Sequence, residues 1–200
     1  MGRKSKAKDR RKEILSHFYD VIIDEGFEGA SFAKVARRMD VNPSLLVHYF
    51  SSKDAMVLGL IDHVISTYSA QILPDFSKVE NPAERWDDVV DVVSRIQWDL
   101  FLNSTVFYSA YTLSLRNEDI RQQFVELYAG VRDRLEEEIS HASQAGIIDV
   151  IDTRRAAELI ITLMEGTNFY RHVWDDAPSP EERRKLLRDT LTQMFQSGKV

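Results

Sequence analysis

Two hundred residues, 44% of them hydrophobic and 29% charged, suffice for one ordinary domain, or a small one joined to a larger, with a buried core. With no cysteine, disulfides, thiolate zinc sites and cysteine nucleophiles are excluded, which fits a reducing compartment. No run of about 18 uncharged apolar residues is present to span a bilayer, and the basic start MGRKSKAKDRRK lacks the apolar stretch of a secretory signal, so the chain is expected in the cytoplasm.

The net charge of −6 is unevenly spread. Up to Lys53 there are eleven Lys and Arg against seven Asp and Glu, a balance of +4, and from Asp54 there are fifteen against twenty-five, a balance of −10. That asymmetry suits a small part that approaches phosphates and a larger part that does not. The basic run from Arg3 to Lys8 is explained equally well as a solvated tail.

From Asp9 the chain reads almost wholly as helix. Asp9 is the expected cap of a first helix with Ile14, Phe18, Val21 and Ile22 on one face and Gly26 at its end. Ser31 to Phe50 reads as two short helices joined by a tight turn, with Phe32, Val35, Ala36 and Met39 on one apolar face and Leu46, Tyr49 and Phe50 on another. Asn42 is placed to cap the second of these and Pro43 fits its first position, where no N–H is missed. This is the helix-turn-helix pattern, whose second helix enters the major groove of DNA. Ser52 then caps a fourth helix running to about Gln71, and Lys53 in its first turn is placed to share a phosphate with the free N–H groups.

Pro74 to Lys78 reads as a linker, and Asn81, Pro82 and Glu84 resemble a capping box opening a helix to about Leu102, with Trp86, Val89, Val90, Val93, Ile96 and Leu100 inward. A short apolar segment from Val106 to Leu115 follows. Asn117 opens a long amphipathic helix that stops at Gly146, Asp152 opens another reaching about Trp174, and Ser179, Pro180 and Glu182 start a last one with Leu186, Leu187, Leu191, Met194 and Phe195. The fold class is therefore all-α, about nine helices, with IIDVI after Gly146 as one brief candidate for extended chain.

The stretch VARRMDVNPSLLVHYFSSKDAM resembles the TetR family of transcriptional regulators: an apolar helix, a turn near Val41, the aromatic ending His48, Tyr49, Phe50, and Lys53 stand where that family's pattern expects them. The resemblance implies a dimeric DNA-binding repressor whose carboxy-terminal bundle holds a small-molecule effector and the dimer contact. It divides the chain into a DNA-binding domain, 1–50, and a ligand-binding and dimerisation domain, 51–200. The expected DNA-contacting residues are Ser31, Lys34, Pro43, Ser44, Leu45, Val47, His48, Tyr49 and Lys53. Lys34 is preferred over Arg37 and Arg38 because it lies nearer the helix start. Leu45 suits a thymine methyl. Departures from the family are Met39 and Asp40 where a small residue and glycine are common, and Ser44, Leu45 and Val47 where Gly, Thr and Tyr are common. Asp40 tolerates the left-handed turn less readily than glycine does.

The second half is rich in rings, and the expected effector-binding residues are Trp98, Phe101, Phe107, Tyr108, Tyr111, Tyr128, Glu165 and Phe169. Ring faces around one carboxylate suit an organic cation, although ordinary core packing explains any single ring as well. Leu159, Ile160, Ile161, Leu163 and Met164 make the helix before Trp174 apolar on more than one side, which calls for a covering surface. With the last helix it would form a four-helix contact with a second copy, Gly166 allowing close approach.

No metal-ligand spacing, glycine-rich phosphate loop, nucleophile motif or cofactor signature appears, so no enzyme, metal or cofactor is expected. The expected partners are a double-stranded operator, an effector of unknown identity and a second copy of the chain, with no membrane. Two competing readings are an all-helical carrier or enzyme with a vestigial helix-turn-helix, and a helical interaction protein.

Overall fold

A computed structural model describes residues 2–95, 103–174, 176 and 178–196. Among them are nine helices and no strand: α1 (Gly2–Gly29), α2 (Phe32–Arg38), α3 (Pro43–Tyr49), α4 (Lys53–Ile72), α5 (Pro82–Arg95), α6 (Ser104–Ser114), α7 (Glu118–Gln144), α8 (Thr153–Val173) and α9 (Pro180–Gln196). The all-α expectation stands. The chain forms two compact units, one from 1–67 and 98–125, the other from 68–97 and 126–200.

In the first unit α1 packs on α2 and α6, and α2 packs on α3. Ile14, Leu15, Phe18, Val21 and Ile22 of α1 are buried, as are Val35, Ala36, Leu46, Phe50, Met56, Leu60, Val106 and Phe107. The helix begins at Gly2, so Asp9 does not cap it: the Lys- and Arg-rich start has enough helix propensity to extend the element past the expected cap. Gly26 does break it, with φ 73° and ψ 165°, backbone that essentially only glycine adopts, and one further turn follows to Gly29.

In the second unit α5 packs on α8 and α9, and α8 on α9. Buried Trp86, Val89, Val90 and Val93 stand at helical spacing along α5, facing a core that includes Leu135, Ile139, Ile160, Met164, Leu191 and Phe195. Ile96 and Leu100, expected inward, lie outside the described residues. Trp86 meets Phe195 edge to face at 5.4 Å. Arg85 and Glu138 form a bidentate pair, Nε to Oε2 2.6 Å and Nη2 to Oε1 2.8 Å, each side chain 12% exposed.

The caps are set by sequence. Asn81 Oδ1 accepts from the Ala83 N–H at 2.9 Å, Asn117 Oδ1 from Ile120 at 3.1 Å and Asp152 Oδ1 from Arg155 at 3.0 Å. Ser179 and Glu182 close a reciprocal capping box: the Ser179 N–H donates to Glu182 Oε2 at 2.8 Å and the Glu182 N–H to Ser179 Oγ at 3.3 Å. The apolar stretch after residue 103 is α6, capped by Asn103, whose Oδ1 accepts from the Thr105 N–H at 2.9 Å. The IIDVI piece is not a strand: it turns after Gly146, φ 70°, and spends one backbone bond, Asp149 N–H to the Phe195 carbonyl at 3.0 Å.

Candidate nucleic-acid interface

Two helices of seven residues each are too short to persist alone, so α2 and α3 exist because their ends are capped and their inner faces are buried. Ser31 Oγ accepts from the Lys34 N–H at 3.4 Å, and Val35 and Ala36 are fully buried. The turn after α2 closes with the Val41 N–H on the Ala36 carbonyl at 3.0 Å and the Asp40 N–H on the Arg37 carbonyl at 3.3 Å. This is a Schellman ending with Asp40 in the left-handed position at φ 53°, where glycine is common. Asn42 Oδ1 then accepts from the Ser44 N–H at 2.9 Å and Pro43 takes the first position of α3. Asn42→Ala is expected to cost about 1 kcal/mol of unfolding free energy, read by urea titration, because one N–H at the start of α3 loses its acceptor.

With Leu46 and Phe50 buried, α3 presents Ser44, Val47 and His48 outward at i, i+3 and i+4, and Val47 is 55% exposed. Pro43 is exposed beside them, while Leu45 and Tyr49 are half-buried at the edges of this face. The His48 and Tyr49 rings meet edge to face at 5.3 Å.

Behind α3 stands a prop the sequence analysis passed over. Arg11 of α1 donates from Nη1 to the Tyr49 carbonyl at 2.9 Å, and its guanidinium lies 4.1 Å from the centroid of the Phe50 ring. Gly59 of α4 makes room for both: an added Cβ would meet Phe50 Cε1 at 3.0 Å and Arg11 Nη2 at 3.2 Å. The signal was present, since Arg11 lies three and seven residues before Ile14 and Phe18 and so continues the buried stripe of α1.

The expected cations are engaged within the unit. Ser52 Oγ accepts from the Ala55 N–H at 3.1 Å and starts α4 as expected, but the Lys53 ammonium donates to the Phe27 carbonyl at 2.5 Å and lies 4.6 Å from the Phe27 ring. Lys34 is paired with Glu25, and Arg38 with Asp24 at 2.5 Å and Asp20 at 3.6 Å. The hydrogen bond that Arg38 donates to Asp24, with the fields of Asp24, Asp20 and Glu25, raises the Arg38 pKa above its ordinary value despite some desolvation.

Of the expected effector-binding residues, Trp98 and Phe101 lie outside the described residues. In the first unit, Phe107 is buried and meets Tyr108 at 5.4 Å and Phe124 at 5.7 Å, while Tyr111, half exposed, meets Phe124 at 6.2 Å. In the second, Tyr128 and Glu165 are half-buried and Phe169 is 58% exposed. A groove of about 340 Å³ in the second unit runs between α8 and α9 along Thr162, Leu163, Gly166, Thr167, Tyr170, Arg183 and Leu186, and none of the six described effector candidates lines it. Among the described residues no group of three His, Asp or Glu is placed to hold a metal ion, and no helix is long and apolar enough to cross a membrane.

Two short helices, the second capped at its start, propped from behind and bare along one face, define a helix-turn-helix DNA-binding protein. Residues 14–60 match the family described as bacterial regulatory proteins, tetR family, and residues 83–197 match the tetracyclin repressor-like, C-terminal domain. The chain belongs to the TetR family and is a ligand-responsive, DNA-binding transcriptional regulator. It is 22% identical over 196 residues to the HTH-type transcriptional regulator BetI of Brucella anthropi, covering 95% of each chain. It is 25% identical over 178 residues to the nucleoid occlusion factor SlmA of Haemophilus influenzae, covering 85% of this chain and 78% of that one. Its fold matches a putative transcriptional regulator from Saccharomonospora viridis in complex with choline, with a TM-score of 0.80, 17% identity and coverage of 92% and 96%.

Proposed function

We propose that this regulator is a homodimeric repressor which binds a pseudo-palindromic operator by placing α3 of each copy in successive major grooves, and which leaves the operator when its effector binds. The observation that carries the DNA reading is the outward row of Ser44, Val47 and His48 on a helix whose opposite side is fully buried. Ser44, Leu45, Val47 and His48 face base edges and sugars, Leu45 and Val47 through thymine methyls, and Ser31, Lys34, Pro43, Tyr49 and Lys53 meet the phosphate backbone. To do so Lys34 and Lys53 exchange their present partners for phosphate oxygens. The functional boundary falls after Phe50, although the compact unit that contains α3 extends further along the chain.

The dimer forms through α8 and α9. Phe169, Tyr170, Val173, Trp174 and Leu186 are each more than 40% exposed, the Tyr170 and Trp174 rings stack at 5.1 Å, and a Cβ added to Gly166 meets nothing within 4 Å. So large an apolar face suits burial against a second copy. The effector is a small organic cation held by aromatic faces and Glu165, a reading supported by the choline complex of the Saccharomonospora viridis protein. It acts by favouring a dimer whose two α3 helices are spaced wrongly for DNA, so affinity falls by the effector's preference for that state. The chain works in the cytoplasm, by binding and without catalysis.

The test is fluorescence anisotropy on duplex DNA from the chain's own upstream region, at two salt concentrations, with and without choline. Val47→Glu sets a carboxylate on the outward face without touching the core and is expected to weaken binding more than about a hundredfold, while circular dichroism stays unchanged. Wild-type binding that is insensitive to salt, or a Val47→Glu variant that binds normally, would overturn the DNA face. DNA affinity indifferent to choline would overturn the effector class alone.

A further inference from the structure

The basic character of the amino-terminal part resides in its first twelve residues rather than in the segment from Glu13 to Lys53. Residues 1–12 hold seven Lys and Arg against Asp9, a balance of +6, whereas residues 13–53 hold Lys34, Arg37, Arg38 and Lys53 against six carboxylates, a balance of −2. A duplex presents about one phosphate charge per 1.7 Å of axis, so five carboxylates on the α1 segment that backs the reading helices, against Asp40 alone beside them, call for explanation.

The ion pairs supply one. Asp20, Asp24 and Glu25 form a stripe along one side of α1, and the cations of α2 are laid on it. Glu25 holds Lys34 and stands 4.0 Å from Arg37, while Asp24 and Asp20 share Arg38 at 2.5 and 3.6 Å. All these side chains are at least one-third exposed, so the pairs are wet and exchangeable rather than structural. By contrast Glu28, on the same helix and also exposed, has no cation of α2 in an ion pair among the described residues.

We propose that Asp20, Asp24 and Glu25 act as internal stand-ins for DNA phosphate and hold down the protein's binding to random sequence. While paired, Lys34, Arg37 and Arg38 have little attraction left for a passing backbone, and the adjoining carboxylates repel it. Non-specific binding draws on backbone contacts almost entirely, so it bears the full cost of displacing the stripe. Operator binding adds base-edge contacts from α3 and so tolerates that cost. The carboxylates thereby hold binding to random sequence down, while operator binding, lowered by the same cost, survives on its base contacts. The proposal rests on the α2–α3 face being the DNA-binding face.

The experiment measures anisotropy of the full-length protein on a random-sequence 20-base-pair duplex between 50 and 200 mM KCl. It compares wild type with Asp24→Asn, Glu25→Gln and, as a charge-matched control, Glu28→Gln. Asp24→Asn and Glu25→Gln are each expected to tighten non-specific binding about fivefold and to steepen the plot of log K against log salt by about one, as a cation freed for one more phosphate requires. Glu28→Gln is expected to stay within about twofold of wild type, because it removes the same charge without freeing a cation. Variants that bind random DNA no tighter than wild type overturn the proposal, and so does a Glu28→Gln gain equal to theirs, which would reflect only the overall field. A wild type that binds no duplex at 50 mM KCl removes the DNA-binding face itself, an outcome distinct from either.

Discussion

Replacing Phe50 with alanine is expected to destabilise the first unit by about 3–5 kcal/mol, as truncating a fully buried ring does, and to abolish operator binding with it. Phe50 is 2% exposed, and residues of both α1 and α4 lie against its ring. The ring carries the Arg11 guanidinium 4.1 Å from its centroid and fills the space that Gly59 leaves. Alanine leaves a cavity bordered by a guanidinium, which loses its ring face and gains nothing in return. Urea unfolding followed by far-ultraviolet circular dichroism measures the loss. Phe50→Leu keeps most of the volume and is expected to cost about 1–1.5 kcal/mol with binding retained. If Phe50→Ala unfolded like wild type, the packing described behind α3 would be wrong.

The second large effect lies in the other unit. Arg85 and Glu138 meet through two parallel hydrogen bonds with little exposure, and the Glu138 hydrogen bond raises the Arg85 pKa above its ordinary value. Removing one partner strands the other in a poorly solvated place, so Glu138→Met or Arg85→Met alone is expected to cost about 2–3 kcal/mol. Arg85→Met with Glu138→Met together is expected to return to within about 1 kcal/mol of wild type, because apolar replacements of similar length leave no uncompensated charge. A double-mutant cycle from urea unfolding reads the coupling directly. Additive losses would show that the two side chains stabilise the unit separately.

Much of the architecture is written in local chemistry. Ser31, Asn42, Ser52, Asn81, Asn117, Asp152 and Ser179 each stand at the start of a helix because a short polar side chain there accepts from an N–H that has no other partner. The apolar spacing within each helix then tells which side is buried, as Leu46 and Phe50 inward against Ser44, Val47 and His48 outward show along α3. Asp9 fails as a cap because propensity over the preceding basic residues competes with it, and local signals do not rank the two.

The sequence by itself therefore determined the all-helical class, the order of the elements, the helix-turn-helix and its outward face, since each depends on residues within one or two turns of each other. Only the tertiary structure decided which partners the charged and aromatic side chains take. Arg11 reaches the end of α3 across 38 residues, Lys53 meets the end of α1 across 26, and Lys34 and Arg38 lie against the carboxylates of α1 instead of standing free. A long, flexible cation has several acceptors within reach of its stem, and the one it takes is chosen by how helices distant in sequence are brought together, which periodicity along a single helix does not encode.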